Sequence, residues 1–463
     1  MTNTVATLEL ATGFSPAALE YLLASKNEPD WLRARRREAW HLYQETPAPA
    51  PNDELWRRTS LKNLKLDAAI PFAPALSTAL PASLRIAEDA RGGGVVTQYN
   101  TTHADIWLTE EVKKRGVIFT DLHTAIQTHP ELVREYLMTR AVTYTENRYA
   151  GAKTTKGEGA AYGDTIGDLK FVALHGAFFN AGTFLYVPRG VVVELPLQSL
   201  IHFDAPNVAF LAHTLVIVEE GASVTLIERF TSEATEAQRF SNTAVELILK
   251  PGASLQYFHL QDLARNVWHF TSQTALLERD AQLTWLNGTL GSQTTKAFLD
   301  CKFVGAGAQA NLLGFFFGDD KQHFDQHTFQ NHLVGQTASD LLYKGALKDR
   351  AYAVFRGLIR VNPNAQRSDA YQANRNLLLS QHAHADSIPE LEIEANDVRC
   401  THGATVGPID PEQVFYLMTR GVSKIEAERL IVEGFFEPLL QKIPLTAVRE
   451  ALEHVIQNKI GTA

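Results

Sequence analysis

Cys400 and His402 are the residues of this 463-residue chain whose types and spacing could most directly do chemistry. One threonine separates them, so on a strand both project to one face, with α-carbons roughly 6.5–7 Å apart. A thiol beside an imidazole can bind soft or borderline metals. Taken on its own, the pair reads first as a buried cysteine and a hydrogen-bonded histidine at a strand end. The run that follows, Gly403-Ala404-Thr405-Val406-Gly407, is small enough to admit another backbone.

The chain holds only two cysteines, Cys301 and Cys400. An iron–sulfur cluster usually takes four thiolates, or three with a substitute ligand. Two cysteines so far apart in sequence cannot supply that set. A chain that handled such a cluster would have to share its ligation with another subunit.

Histidine is plentiful, at sixteen. His323, His327 and His332 form one group, and His382 and His384 another. Spacings of four and two put His323 with His327, and His382 with His384, on one side of a strand. A cupin-like metal site could use such pairs. They also read as polar lining of turns and strand edges. Common catalytic signatures are missing. The sequence has no GxxxxGK[ST], so no ATP site of its own is expected, and no GxSxG, HExxH or CxxC. Gly305-Ala306-Gly307-Ala308-Gln309-Ala310 loosely matches GxGxxA, but no helix follows it.

Charge and composition narrow the partners. A net charge of −9 argues against nucleic-acid and anionic-membrane surfaces. The one basic run, Arg33, Arg35, Arg36 and Arg37, lies on a helix and reads as a solvated or partner-facing side. With few cysteines, no signal-peptide pattern and no apolar run of about 18–20 residues, a cytoplasmic location is expected.

The elements that position these residues fall into four expected units. Residues 1–90 read as an N-terminal helical domain. Ser15-Pro16 starts one helix, and Leu32, Ala39, Trp40 and Tyr43 form the buried stripe of a second. Residues 91–168 read as a mixed α/β lead-in ending in a mobile Gly-rich loop over 150–168. Residues 169–408 carry a faint repeat of small-residue turns at Ala222, Ala253, Ala281, Ala308, Ala338 and Ala365. Their spacings are 31, 28, 27, 30 and 27 residues. Each repeat has room for two strands and two turns but no helix, which fits a coil of a parallel β-helix. The competing reading is a β-sandwich. Residues 409–463 read as a C-terminal helical domain. Asp410-Pro411-Glu412-Gln413 caps its first helix, Ser423 with Glu426 caps its second, and a third runs from Leu445 to Lys459. A helical pair there is expected to cover the open last coil.

Longer motifs resemble a known family. Cys400-Thr401-His402-Gly403-Ala404-Thr405-Val406-Gly407, then Ile409-Asp410, Gln413-Val414-Phe415-Tyr416-Leu417 and Arg420-Gly421, are similar to the C-terminal signature of the SufD branch of the SufB/SufD family. That family serves Suf iron–sulfur cluster assembly. Ser339-Asp340, Leu342-Tyr343-Lys344-Gly345, Ser368-Asp369-Ala370-Tyr371-Gln372, Asn374-Arg375-Asn376-Leu377-Leu378-Leu379 and Pro389-Glu390-Leu391-Glu392-Ile393 resemble it too. So do Ala177-Phe178-Phe179-Asn180 and Gly182-Thr183-Phe184-Leu185-Tyr186-Val187-Pro188. SufB-like tails resemble EHEATTS where this chain has CTHGATVG. The resemblance implies a mainly β fold, a right-handed parallel β-helix flanked by N- and C-terminal helical domains. It implies a scaffold rather than an enzyme, pairing with a SufB-like paralogue and docking a SufC-like ATPase through its C-terminal helices. It places His402, with Cys400 beside it, at a shared site where a transient cluster is built. A reduced flavin would belong to the whole complex. An isolated chain is expected to form a homodimer. The remaining alternatives are a cupin-like metalloenzyme and a polysaccharide-active β-helix enzyme.

Overall fold

The computed structural model describes residues 12–72, 84, 86, 90–100, 103–144, 168–443 and 446–460. The expected mobile loop lies outside the described residues, apart from Asp168, which caps a helix. Two helices open the chain, α1 (Pro16–Ser25) and α2 (Asp30–Glu45). A mixed stretch follows, with β1 (Gly94–Tyr99), β2 (His103–Leu108), α3 (Glu110–Lys114), β3 (Ile118–Asp121), α4 (Leu122–Thr128), α5 (Pro130–Tyr136) and α6 (Leu169–Phe178). Strands then dominate: β4 (Thr183–Val187), β5 (Leu197–Phe203), β6 (His213–Val218), β7 (Ser223–Ser232), β8 (Arg239–Leu249), β9 (Ser254–Asp262), β10 (Val267–Leu277) and β11 (Gln282–Thr289). They continue as β12 (Thr294–Phe303), β13 (Gln309–Gly318), β14 (His323–His332), β15 (Ala338–Leu347), β16 (Tyr352–Val361), β17 (Asp369–Leu378), β18 (His384–Ile393) and β19 (Arg399–Pro408). The helices α7 (Pro411–Thr419), α8 (Lys424–Leu440) and α9 (Thr446–Ile460) close the chain.

From β4 onward each strand pairs in parallel with the strand two places along. Odd-numbered strands from β5 to β19 build one sheet and even-numbered strands from β4 to β18 the other. The chain therefore winds as a flattened parallel β-solenoid. Two antiparallel pairs, β1 with β2 and β3 with β4, start the stack.

Small turns make the coils possible. Ala222, Ala253, Ala281 and Ala308 are fully buried just before β7, β9, β11 and β13. A residue with positive φ precedes each: Gly221, Gly252, Asp280 and Gly307. Further along, the equivalent positions are Thr337 and Ser368, behind Gln336 and Arg367 with φ near 59°. Backbone bonds from Asp369 N to Thr337 O and from Arg399 N to Ser368 O continue the ladder. The expected repeat positions Ala338 and Ala365 are thus displaced by one and three residues. Hydroxyl residues replace alanine there because they pair across coils, with Thr337 and Ser368 hydroxyls 3.0 Å apart.

The core has three layers of contact. Leu226, Tyr257, Trp285, Leu312 and Leu341 face Leu247, Leu277 and Cys301 between the sheets. Outside the even sheet, Phe240, Phe270 and Phe298 pack against α1, α2, α6 and Trp56. Outside the odd sheet, Ile227, Phe258, Leu286 and Leu313 form a register-matched row. That row is covered by Val432, Phe436, Leu439 and Ile456 of α8 and α9. This corrects the expectation that the C-terminal helices cover the last coil. They lie along the flank because an apolar row there needs burial, worth roughly 1.5–3 kcal/mol per large side chain. Val455 and Ile456 of the expected stripe join this contact, while Leu445, Val448 and Leu452 lie outside the described side chains.

The basic run on α2 also differs from expectation. Arg36 is fully buried, forming a two-pronged pair with Glu28 at 2.7 Å for each bond. Its third nitrogen donates to Ala177 O at 3.1 Å, and its plane lies over Phe179. Arg35 donates to carbonyls of Leu137 and Arg134. Only Arg37, paired with Glu20 on the surface, behaves as a solvated arginine.

Candidate functional site

Cys400 and His402 lie on β19, the terminal strand of the odd sheet. Cys400 is in register with Ala370, and His402 with Gln372. Those neighbours belong to columns that run through the solenoid interior. Val224, Leu255, Leu283, Ala310, Ser339 and Ala370 precede Cys400. Leu226, Tyr257, Trp285, Leu312, Leu341 and Gln372 precede His402. Every earlier member is buried. The two candidate residues thus occupy inward positions of a coil on which no further coil stacks.

Their surroundings differ. Cys400 is half-buried beside Leu391, Val398, Ala370 and Ala395. Burial first, and then the Asp369 carboxylate, push its thiol pKa up. It is therefore a protonated thiol, and a metal or a cationic partner would be needed to make it a thiolate. His402 is exposed. Beneath it, Gln372 donates to Gly357 O at 3.0 Å and Glu390 O at 3.3 Å, while its own Oε1 is buried without a partner. Cys301 lies deep in β12, in the other sheet, with burial raising its thiol pKa well above the ordinary value. The two cysteines form no common site. Among the described residues, no group of three or more His, Cys, Asp or Glu could hold a metal. Cys400 and His402 can contribute at most two ligands.

Exposed apolar side chains surround this end of the stack. Ile393 on β18 and Val406 on β19 are exposed. Beyond β19, Phe415 and Tyr416 on α7 are 68% and 58% exposed, and Met418, Ile425 and Leu430 add to the surface. α7 itself is well formed. Asp410 caps it through Glu412 N at 2.9 Å, Pro411 starts it, and Gly421 follows with φ 88°. Large apolar groups left on an ordered helix mark a contact surface.

The other histidines are sorted by strand parity. His323 and His327 face outward on β14, whereas His332 points inward and bonds Thr337 at 2.7 Å and Ser339 at 2.9 Å. His382 falls in the Ser380–Ala383 turn rather than on a strand, and His384 pairs with Asp386 at 3.1 Å. The cupin-like use of His382 and His384 is thereby lost.

Two buried networks were not foreseen. Residues 53–66 cross the outer face of the even sheet. There Thr59 donates to Asp325 and meets His323 at 2.8 Å. Lys296 reaches Leu55 O, Asp325 and His327. Burial alone would raise the Asp325 pKa, but Lys296 and then His327 hold it far below the usual range. Arg58 pairs with Asp386, and Arg356 with Glu390 and Glu54, so the crossing segment reaches β18. In the second network, His175 Nδ1 lies 2.8 Å from Asn242 O, and His175 Nε2 lies 3.0 Å from His213 Nδ1. His213 Nε2 lies 3.0 Å from Glu246 Oε1. Glu246 accepts from Met138 N and Val142 N. Burial raises its carboxyl to about 8. The Ala177–Asn180 motif borders this network, and the alternation of β8 offered no further signal of it.

Comparison with known proteins gives concordant relationships. Residues 201–435 match the family model described as SUF system FeS cluster assembly, SufBD core domain. The iron–sulfur cluster assembly protein SufD of Bacillus subtilis is 30% identical, covering 94% of this chain and 95% of its own length. SufB of the same organism is 26% identical, over 94% of this chain and 90% of its own. A SufBD family protein of Staphylococcus epidermidis is 27% identical over 91% of this chain and 87% of its own length. Among the described residues, no helix is long and apolar enough to cross a membrane.

Proposed function

The chain belongs to the SufB/SufD family of SUF-system iron–sulfur cluster assembly proteins, on its SufD branch, and we propose that it works there as a scaffold that supplies one wall of a shared assembly site. The observation that carries this reading is the open end of the solenoid. β18 and β19 each have one strand neighbour, and the buried columns end at Cys400 and His402. An exposed coil end suits pairing with the matching end of a SufB-like solenoid. Two ligands here, completed by the partner, fit the cysteine count and the protonated state of Cys400. The nascent cluster is cargo of that interface. A reduced flavin would likewise belong to the assembled complex.

A SufC-like ATPase would dock on the apolar surface of α7 and the start of α8. Those helices follow directly on β19, so movement of one displaces the other. ATP hydrolysis on the partner would in this way open or close the assembly site. No chemistry on ATP is assigned to this chain, and its place is the cytoplasm with its partners. Without a paralogue, the same edges would pair two copies as a homodimer. Co-expression with a SufB-like paralogue and a SufC-like ATPase, followed by affinity capture of this chain, tests the reading. A stable complex of the three supports it, and recovery of this chain alone under those conditions contradicts it.

A further inference from the structure

A second chemically equipped place lies at the opposite end of the stack. A cavity of about 200 Å³ opens where α1, α2 and α4 meet the first coils. Phe72, Phe179, Leu122 and Ile126 supply apolar walls. Lys26, at the end of α1, lines the same space. Its Nζ donates to Asn180 O at 3.1 Å and lies 5.5 Å from the Phe72 ring centre. Both contacts are neutral. The carboxylates in reach are committed elsewhere, Glu28 to Arg36 and Asp121 to Thr124 N as a helix cap. His123 completes the set of titratable groups facing the cavity, and its Nδ1 is buried without a partner.

An ammonium surrounded by protein without a carboxylate in contact is disfavoured relative to the free amine. Burial first, and then the neighbouring Arg36 guanidinium, lower the Lys26 pKa to about 8. A surface lysine remains almost wholly protonated at neutral pH, whereas this side chain holds a larger share of free amine. Lys26 is partly exposed as a residue and lines the cavity, which gives a small molecule a route to the amine.

We propose that Lys26 is an amine nucleophile and that its cavity accepts a small flat aldehyde. The Nζ lone pair forms a bond to the aldehyde carbon while the C=O π pair moves to oxygen. The oxygen gains a proton, the nitrogen loses one, and departure of water leaves an imine. Apolar walls and the Phe72 face suit an aromatic ring, and Asn180 O orients the amine.

The test uses the full chain with benzaldehyde as probe and cyanoborohydride as hydride donor, which fixes each imine as a benzylamine. Adducts are located by peptide mass spectrometry between pH 6 and 9. The expected result is labelling of Lys26 at pH 7 at least about tenfold faster than of exposed Lys113 or Lys424. That preference should disappear in 8 M urea, and K26R should remove the fast adduct while retaining the native circular dichroism spectrum. Labelling of Lys26 no faster than of those surface lysines in the folded chain would overturn the proposal. So would an equal preference in urea.

Discussion

His402 stands in register with Gln372, and together they end an inward column that runs back through Leu226 to Leu197. Gln372 is 1% exposed and keeps an unpartnered amide oxygen, whereas His402 is open to solvent. An interior position has become a surface position because the coil stack stops there.

His402→Ala should therefore be nearly silent in the isolated chain. An exposed side chain with no described bond has little folded-state energy to lose, within about 0.5 kcal/mol. Urea unfolding midpoints should match those of the native sequence. Cys400→Ser should cost more, because Cys400 packs against Leu391 and Val398. About 1 kcal/mol is expected from the hydroxyl in an apolar half-buried site.

Phe415→Asp with Tyr416→Asp should abolish capture of the ATPase while leaving the secondary structure unchanged. Both side chains are mostly exposed, so the folded core does not depend on them. Removing the whole C-terminus is a poorer experiment. It would uncover Phe258, Leu286 and Leu313 and promote aggregation. Capture measured at normal affinity with the double variant would remove α7 from the docking surface.

Glu28→Gln should destabilise the N-terminal helices strongly. Arg36 would keep its charge in a fully buried setting and lose its only carboxylate partner among the described contacts. Breaking such a pair costs about 3–5 kcal/mol. Urea denaturation followed by tryptophan fluorescence would report it, since Trp40 lies on the same helix. A change below about 1 kcal/mol would contradict the assigned burial.

Glu246 sets a pH dependence. Its folded pKa, near 8, lies above the ordinary 4.5, so the folded state binds the proton more tightly. The associated stability is fully present below pH 4.5 and is lost as pH rises toward 8. His213, lowered to about 3 by burial and then by Arg36, acts in the opposite sense, but only below about 6.5. Lys26, lowered to about 8, adds a contribution of the opposite sign as pH approaches and passes 8. Between about pH 6.5 and 7 Glu246 is thus the dominant member of this set, with a slope of at most about 1.4 kcal/mol per pH unit. Glu246→Gln should flatten the stability profile in that interval. An unchanged slope would show that Glu246 is ionised throughout.

The coil was legible because its signal is local. A tight turn needs a small residue after a left-handed one, and Ala222, Ala253, Ala281 and Ala308 meet that need in the sequence itself. The reading slipped at Thr337 and Ser368, where hydroxyl pairing across coils replaces simple smallness. Cys400 and His402 could be placed on one face by parity alone. That they end two buried columns depends on register between strands about thirty residues apart, which no single strand encodes. Arg36 misled for a similar reason. Its neighbours on α2 are charged, but its partners Glu28, Ala177 and Phe179 come from outside the helix. The segment around Thr59 and Trp56 carries no periodicity, so its path across the even sheet emerges only from tertiary contacts.

Cluster formation at the open coil end is the property that depends most directly on His402. The measurement is the anaerobic absorption spectrum of the co-expressed complex of this chain, a SufB-like paralogue and a SufC-like ATPase, with iron and sulfide supplied. His402→Ala is expected to leave the three subunits assembled and to lower the iron–sulfur absorbance at least about tenfold, an effect of about 1.4 kcal/mol or more on the assembly step. Undiminished absorbance in an intact variant complex would contradict it.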